Sequence, residues 1–283
     1  MLPLERNSAL EQVELEANAL TLPISIIIPT YFEEKWIGRL LQSISTQVAA
    51  PLEVIVADAQ STDKTREIAR SYGAIVVEGG SCPEGRNRGA KIARGEYLLF
   101  IDADSFLPES TTLLEAYVQF QKTGADIASS FYRSDKPMGL KFEKMVPNLV
   151  FTGINAVKKI QSILKKISFE WGIFMFVKRS AYIHVGGFNE EYKVGEDTKF
   201  FTDVLKLGYK YALLDIPVVT SGRRYEQKKN VKNIAVGLLV TGFAALIGAG
   251  ALSKMMKDNW KRYGELGGKQ YSPDNKSTEG EDE

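Results

Sequence analysis

The sequence predicts an α/β fold with a mostly parallel central sheet flanked by helices. Three observations predict it. From Ile24 to about Ile101, short β-branched runs alternate with amphipathic stretches, the signature of βαβ units. The helical stretches open on cap-type residues and close on glycine. The apolar runs end at Pro29-Thr30, at Asp58 and at Asp102 with Asp104, and in open parallel sheets ligands bind beyond the carboxyl ends of strands.

Taken in order, "ISIII" (Ile24 to Ile28) is the first strand. Thr30 then stands three residues before Glu33, the spacing of a capping box, and Trp36, Ile37, Leu40, Leu41 and Ile44 share one helix face. "LEVIVAD" is a second strand ending on Asp58, and "STDKTREIARSYG" a helix stopped by Gly73. "AIVVE", "EGRNRGAKIARG" and "YLLFI" read as strand, short helix and strand. A helix from Glu109 to Lys122 and the strand "ADIASSFY" follow. Met138 to Lys166 interleaves lysines with apolar residues, as a long, partly helical stretch broken at Pro147. "FMFVKRSAYIHVGGFNEEY" gives a strand, a helix and a Gly186-Gly187 turn. "GEDTKFFTDVLKLG" is a helix carrying Glu196 and Asp197 in its first turn, and "YALLDIPVV" closes the sheet.

Composition excludes some classes. A net charge of +1 lacks the basic excess of a nucleic-acid binder. The single Cys82 excludes an internal disulfide, fits a reducing compartment, and has no base partner in sight. The single His184 could be a third metal ligand, but it precedes the Gly186-Gly187 turn, well away from the Asp pair in sequence, and a packed structural role is favoured. "MLPLERNSALEQVELEANAL" has no positive n-region followed by an apolar stretch, so no signal peptide is expected. "SPDNKSTEGEDE" at the other end is polar and acidic, and is expected to be disordered.

The stretch "EYLLFIDADSFLP" runs a strand into two aspartates spaced one apart. Asp and Ser form turns readily. Two carboxylates so close also repel unless a cation sits between them, which makes Asp102 and Asp104 candidate metal ligands. Glu196 and Asp197 have two readings as well: acidic residues complement the dipole of a helix N-terminus, and a carboxylate can act as a general base.

The segments "SIIIPTYFEE", "VIVADAQSTDKT", "GRNRGAKIARGEYLLFIDADS", "VGGFNEEYKVGEDTKF" and "TSGRR", in that order, resemble the family 2 inverting glycosyltransferases. The resemblance covers Ile24 to Arg224. It implies a GT-A type, Rossmann-like sheet and a nucleotide-diphospho-sugar donor, a UDP- or GDP-sugar. It also implies a divalent cation, manganese or magnesium, touched by Asp104, with Asp102 reaching the ribose or the metal. Such a cation neutralises the departing diphosphate. Asp197 matches the family's base, beside Glu196. Pro29, Thr30, Tyr31, Glu33 and Asp58 match positions lining the nucleotide. Arg86 matches a phosphate or base contact, or else lies with Arg88 on a solvated helix face. Arg223 and Arg224 resemble a late basic motif that closes over the diphosphate, with a membrane-facing patch as the other reading. Trp171-Gly172 lies where an aromatic often approaches a sugar, or Trp171 is a core residue. Two departures stand out: Phe32 where the family commonly has Asn, and "DAQS" after the second strand.

The stretch Ile234 to Leu252 carries no charge, and lysines flank it on both sides. As a helix it would be about 28 Å long, near the hydrocarbon thickness of a bilayer. Basic residues at both ends favour a hairpin or in-plane segment on an anionic membrane surface over a single span, a buried hairpin or an oligomer interface. The expected organisation is an N-terminal extension (1–22), a glycosyltransferase domain (23–225), a membrane-associating helical segment (226–268) and an acidic tail (269–283). The expected activity is metal-dependent, inverting sugar transfer to a lipid-linked or saccharide acceptor on the cytoplasmic side of a membrane. A nucleotidyltransferase or a non-catalytic scaffold on the same fold are the alternatives. The absence of a Gly-rich phosphate loop after the first strand speaks against the former.

Overall fold

The computed structural model describes residues 20–136, 142–164, 170–192 and 195–223. Most of the expected N-terminal extension, Arg224, the stretch Ile234 to Leu252 with its basic flanks, and the acidic tail lie outside the described residues.

Strands β1 (Thr21–Thr30), β2 (Ala50–Asp58), β3 (Ile75–Glu78), β4 (Tyr97–Ile101), β5 (Ser105–Phe106), β6 (Ile127–Ser134), β7 (Phe174–Lys178) and β8 (Tyr211–Thr220) form one sheet. Its order is β3-β2-β1-β4-β7-β6-β8-β5. The described helices are α1 (Ile37–Ser45), α2 (Thr65–Ser71), α3 (Cys82–Ile92), α4 (Thr112–Thr123), α5 (Phe142–Leu164), α6 (Arg179–Val185) and α7 (Glu196–Lys206).

The sheet is buried on both faces, which explains why its central strands read as continuous apolar runs. Along β1, Ile24, Ile26 and Ile28 enter one core with Leu40, Leu41, Phe120 and Ile154. Ile27, pointing the other way, joins a second core with Phe100, Phe188 and Phe200. The α1 residues Ile37, Leu40, Leu41 and Ile44 are all buried, and each contributes about 1.5–3 kcal/mol relative to exposure.

Three features of the topology assemble the cleft. β1, β2, β3 and β4 run parallel, so Thr30 and Asp58 lie side by side as register partners and β4 ends at the same edge. β7 runs antiparallel to β4, pairing Ile101 with Phe174. The segment entering β7 therefore arrives where β4 finishes, and the Asp102 amide donates to the Ile173 carbonyl at 3.2 Å. Helix α3 lies unusually close to β1 and β2 because Gly85 and Gly89 face them. A Cβ at Gly89 would fall 2.5 Å from Ile27 Cγ2, and one at Gly85 would touch Pro29 and Ala57. That close approach carries Arg86 beneath the cleft.

Several expectations are corrected. Thr30 caps no helix: it ends β1 and its hydroxyl donates to Asp58. α1 starts only at Ile37, with the Glu33 carbonyl accepting from the amides of Trp36 and Ile37. α5 passes through Pro147 without a break. The proline forfeits one ladder bond, while Val146, Val150, Phe151 and Ile154 bury on the sheet. β8 pairs with β6 and hands the sheet edge to the two-residue β5. His184 is exposed, its Nδ1 2.7 Å from the Tyr209 hydroxyl. No helix among the described residues is long and apolar enough to cross a membrane.

Candidate active site

Asp58 is 0% exposed and its carboxylate is saturated with donors. It accepts from the Thr30 hydroxyl at 2.8 Å, the Ser61 amide at 2.8 Å and the Ser61 hydroxyl at 2.7 Å. Ser61 also accepts from the Phe32 amide at 2.8 Å, tying the loop after β1 to the loop after β2. The sequence reading missed Ser61; its signal was the departure at "DAQS". Both departures share a geometric cause. Among the described residues, Phe32 and Gln60 are the non-glycine residues with positive φ, +53° and +60°, a region where Asn sits readily and a bulky side chain is strained. Phe32 is 46% exposed and meets Tyr31 edge-on, with ring centroids 4.6 Å apart.

Asp102 and Asp104 leave the end of β4 as expected, and each is matched with an arginine. Arg223 lies 3.0 Å from Asp104 through Nε and donates from Nη2 to Glu33 Oε1 at 2.7 Å. Its guanidinium carbon sits 5.2 Å from the centre of the Trp36 ring. The second Glu33 oxygen, Oε2, is buried without a hydrogen-bond partner. Burial raises the Glu33 carboxyl pKa, with the charges of Asp104 and Asp102 adding to the effect and Arg223 opposing it.

Arg86 is 2% exposed, so the solvated-face reading fails for it. Its Nη1 donates to Glu196 Oε1 at 2.7 Å, while Nη2 reaches Asp102 Oδ1 at 3.3 Å and the Gly172 carbonyl at 3.4 Å. One buried cation thus ties the Asp-X-Asp turn to the first turn of α7. Asp197, the next residue on α7, accepts from the Gly172 amide at 2.6 Å and from the Thr198 amide at 2.6 Å. Burial pushes the Asp197 carboxyl up to about 7; the adjacent Glu196 adds to this, and Arg86 with the two amides pulls the other way. A carboxyl balanced near neutrality can take a proton at physiological pH. Cys82, at the start of α3, has its thiol pKa raised by burial, consistent with an inert residue.

The fit of this site to a divalent cation rests on its donor set. Magnesium and manganese take oxygen ligands, and magnesium is usually held by one or two carboxylates plus substrate phosphates rather than an all-protein cage. Asp102 and Asp104 supply such a pair beside an orphaned Glu33 oxygen. Among the described residues no group of three or more acidic, His or Cys side chains forms a cage by itself. Pro29, Thr30, Tyr31, Glu33, Asp58, Arg86, Asp102, Asp104, Glu196, Asp197 and Arg223 are thus placed around the carboxyl ends of β1, β2 and β4. Arg224 lies outside the described residues.

Comparison with known proteins bears on the fold and the family. The fold is shared with a mannosyltransferase from Pyrobaculum calidifontis solved with GDP-Man and Mn2+, at TM-score 0.60 and 20% identity, covering 84% of this chain and 74% of that one. It is also shared with residues 1–349 of Staphylococcus aureus TarS in complex with UDP-GlcNAc, at TM-score 0.55 and 20% identity, covering 89% and 76%. These establish a GT-A type fold. In sequence, the chain is 34% identical over 100 residues to the poly(ribitol-phosphate) beta-N-acetylglucosaminyltransferase TarS of S. aureus, 32% of this chain and 18% of that protein. It is 24% identical over 204 residues to the uncharacterized glycosyltransferase EpsJ of Bacillus subtilis, 68% of this chain and 58% of that protein. The chain therefore spans less than two thirds of the length of either relative. The family model described as "Glycosyl transferase family 2" matches residues 25–186. That stretch is more than half of the chain and contains strands β2 to β7, the Asp-X-Asp turn and Arg86: this protein belongs to glycosyl transferase family 2.

Proposed function

We propose that the protein transfers a sugar, with inversion at the anomeric carbon, from a UDP- or GDP-sugar to an acceptor hydroxyl. The observation that carries this is Arg86, which joins Asp102 and Glu196 through one buried guanidinium. It brings a diphosphate-binding turn and a carboxyl of near-neutral pKa to one point, as attack from the face opposite the leaving group requires. In this reading Asp197 takes the acceptor proton, and Asp58, Thr30, Pro29, Tyr31 and Glu33 line the nucleotide. Arg223, with Arg224, grips the diphosphate. Asp102 and Asp104 would hold manganese or magnesium, which supplies charge neutralisation to the leaving diphosphate. The bound nucleotides of the two structural neighbours, GDP-Man and UDP-GlcNAc, support the donor class.

We further propose that the acceptor is lipid-linked and that the enzyme works at the cytoplasmic face of a membrane. The uncharged stretch Ile234 to Leu252 between basic flanks supports this, as does the outward face of α5, where Met145, Leu149, Ile160 and Ile163 are exposed. Calorimetric titration of UDP and of GDP, with and without manganese, tests the donor site. Binding that needs both the metal and Asp104 is expected, and its absence for both nucleotides overturns the reading. Product analysis should find nucleoside diphosphate; pyrophosphate would indicate a nucleotidyltransferase. Protein that fails to sediment with anionic vesicles and needs no detergent would end the membrane proposal.

A further inference from the structure

A second buried ion pair lies behind the site. Lys158 on α5 is 2% exposed and Glu170 is 1% exposed, and Lys158 Nζ sits 2.6 Å from Glu170 Oε1. Lys158 also donates to the Ser130 carbonyl at 2.8 Å and lies 3.7 Å from the centre of the Tyr132 ring. Glu170 Oε2 accepts from the hydroxyls of Ser129 at 3.0 Å and Tyr211 at 3.3 Å. Burial lowers the Lys158 pKa, with Glu170 opposing it. Such a pair costs desolvation and rarely adds net stability compared with an apolar replacement, so a conformational role is the natural question.

The surroundings supply an answer. Glu170, Trp171 and Gly172 enter β7 without regular structure, yet side chains engage all six of their backbone polar groups. Thr198 Oγ1 accepts from the Glu170 amide at 3.1 Å and donates to its carbonyl at 2.8 Å. The Trp171 amide donates to Glu170 Oε1 at 3.2 Å, and the Trp171 carbonyl accepts from the Tyr132 hydroxyl at 2.7 Å. The Gly172 amide donates to Asp197, and its carbonyl accepts from Arg86. A loop so held transmits the position of its anchor to its last donor.

We infer that the Lys158–Glu170 pair is a positioning device for Asp197: it anchors the Glu170–Gly172 loop to α5 and so fixes where the Gly172 amide meets the carboxylate. The inference rests on reading Asp197 as the base. The charged and titratable groups that act on Asp197 among the described residues include Glu196 on α7, Arg86 and Cys82 on α3 and, across the loop, Lys158, itself paired with Glu170.

The test reads the Gly172 amide directly. Trp171-Gly172 is the only Trp-Gly pair in the sequence, so labelling Trp carbonyls with 13C and Gly amides with 15N isolates one NMR signal. In the wild type that proton should be protected from exchange, and its shift should titrate with Asp197 near pH 7. Lys158→Met should lower its protection about tenfold and abolish the titrating shift, as loss of one hydrogen bond implies. Thr198→Val removes the other anchor without stranding a charge, and should do the same even if Lys158→Met does not fold. Lys158→Met/Glu170→Gln removes the link to α5 without stranding a charge and should also lower protection about tenfold; protection within roughly threefold of wild type would mean that Lys158→Met acts only through the charge it strands, and would overturn the proposal. Folded Thr198→Val and Lys158→Met proteins with wild-type protection and shift would overturn the proposal. Turnover, measured separately, should fall in kcat with the donor KM unchanged. A wild type that transfers no sugar would sink the functional reading and leave the amide test intact.

Discussion

Arg223 Nε lies 3.0 Å from Asp104 Oδ2, so the carboxylate proposed to touch the metal is already neutralised by an arginine. The same guanidinium holds Glu33. A cation arriving without nucleotide must compete with it, whereas an arriving diphosphate offers Arg223 a better, bidentate partner. Arg223→Ala should therefore tighten manganese binding to the nucleotide-free protein, by about tenfold, and weaken binding of the nucleoside diphosphate by a comparable factor. Calorimetry of the two ligands separately would show the opposite signs; a loss of both would mean that Arg223 only builds the site.

Asp197 gives a pH prediction with a definite sign. Its carboxyl stands at about 7 in the fold against an ordinary 3.8. The folded state thus binds the extra proton between those values, and the stability this contributes is complete below about pH 4 and lost as pH rises through 7. Activity should move the opposite way, rising through pH 7 as the base ionises. Asp197→Asn should abolish turnover while flattening the fall in Tm between pH 5 and pH 8, because the amide does not titrate, and its one oxygen can still accept from Gly172. A variant with the wild-type pH dependence of Tm would show that Asp197 does not titrate there.

Gly172 faces Asp197 and Arg86 at close range. A Cβ there would fall 2.9 Å from Asp197 Cβ and 2.9 Å from Arg86 Nη2. Gly172→Ala should cost about 1–3 kcal/mol through overpacking and reduce turnover by displacing the carboxylate. Denaturant unfolding and a turnover assay would check the two effects together; unchanged values in both would contradict the close packing.

Arg86 pairs with both Asp102 and Glu196. Arg86→Met leaves those carboxylates without their buried partner and should destabilise the fold by about 3–5 kcal/mol. Arg86→Lys keeps the charge but cannot span both partners with a planar fork, so its stability should fall less than its activity. Equal losses would assign Arg86 to structure alone.

Phe32 holds a left-handed backbone with a large side chain. Phe32→Asn should stabilise the protein by about 1 kcal/mol, read as an increase in Tm. A decrease would show that the edge-on contact with Tyr31 outweighs the strain.

Much of this molecule was legible from local pattern. The alternation of apolar residues in β1 to β4, the helix stops at Gly73 and Gly208, and the delivery of Asp58, Asp102 and Asp104 to strand ends all depend on neighbours within a few residues. Where the local signal was ambiguous it misled. Thr30 and Glu33 carry the spacing of a capping box, but the Thr30 hydroxyl donates to Asp58 across the strand pair instead of accepting from a helix amide. Pro147 is a helix breaker by propensity, but α5 is held by the apolar face it buries.

Residue types and their order were enough to indicate an α/β architecture and to nominate the carboxylates at its strand ends, because side-chain period and turn chemistry are local properties of the chain. The state of those groups was decided by tertiary structure. Arg86 meets a partner 110 residues away, Asp197 is held by an amide 25 residues back, and Lys158 falls on the buried stripe of α5 with Val150, Ile154 and Gln161. That lysine on an apolar stripe was the one available sign of the second ion pair. A buried charge is tolerable only where an opposite charge or a set of donors offsets its desolvation, and which groups meet is set by how distant segments pack.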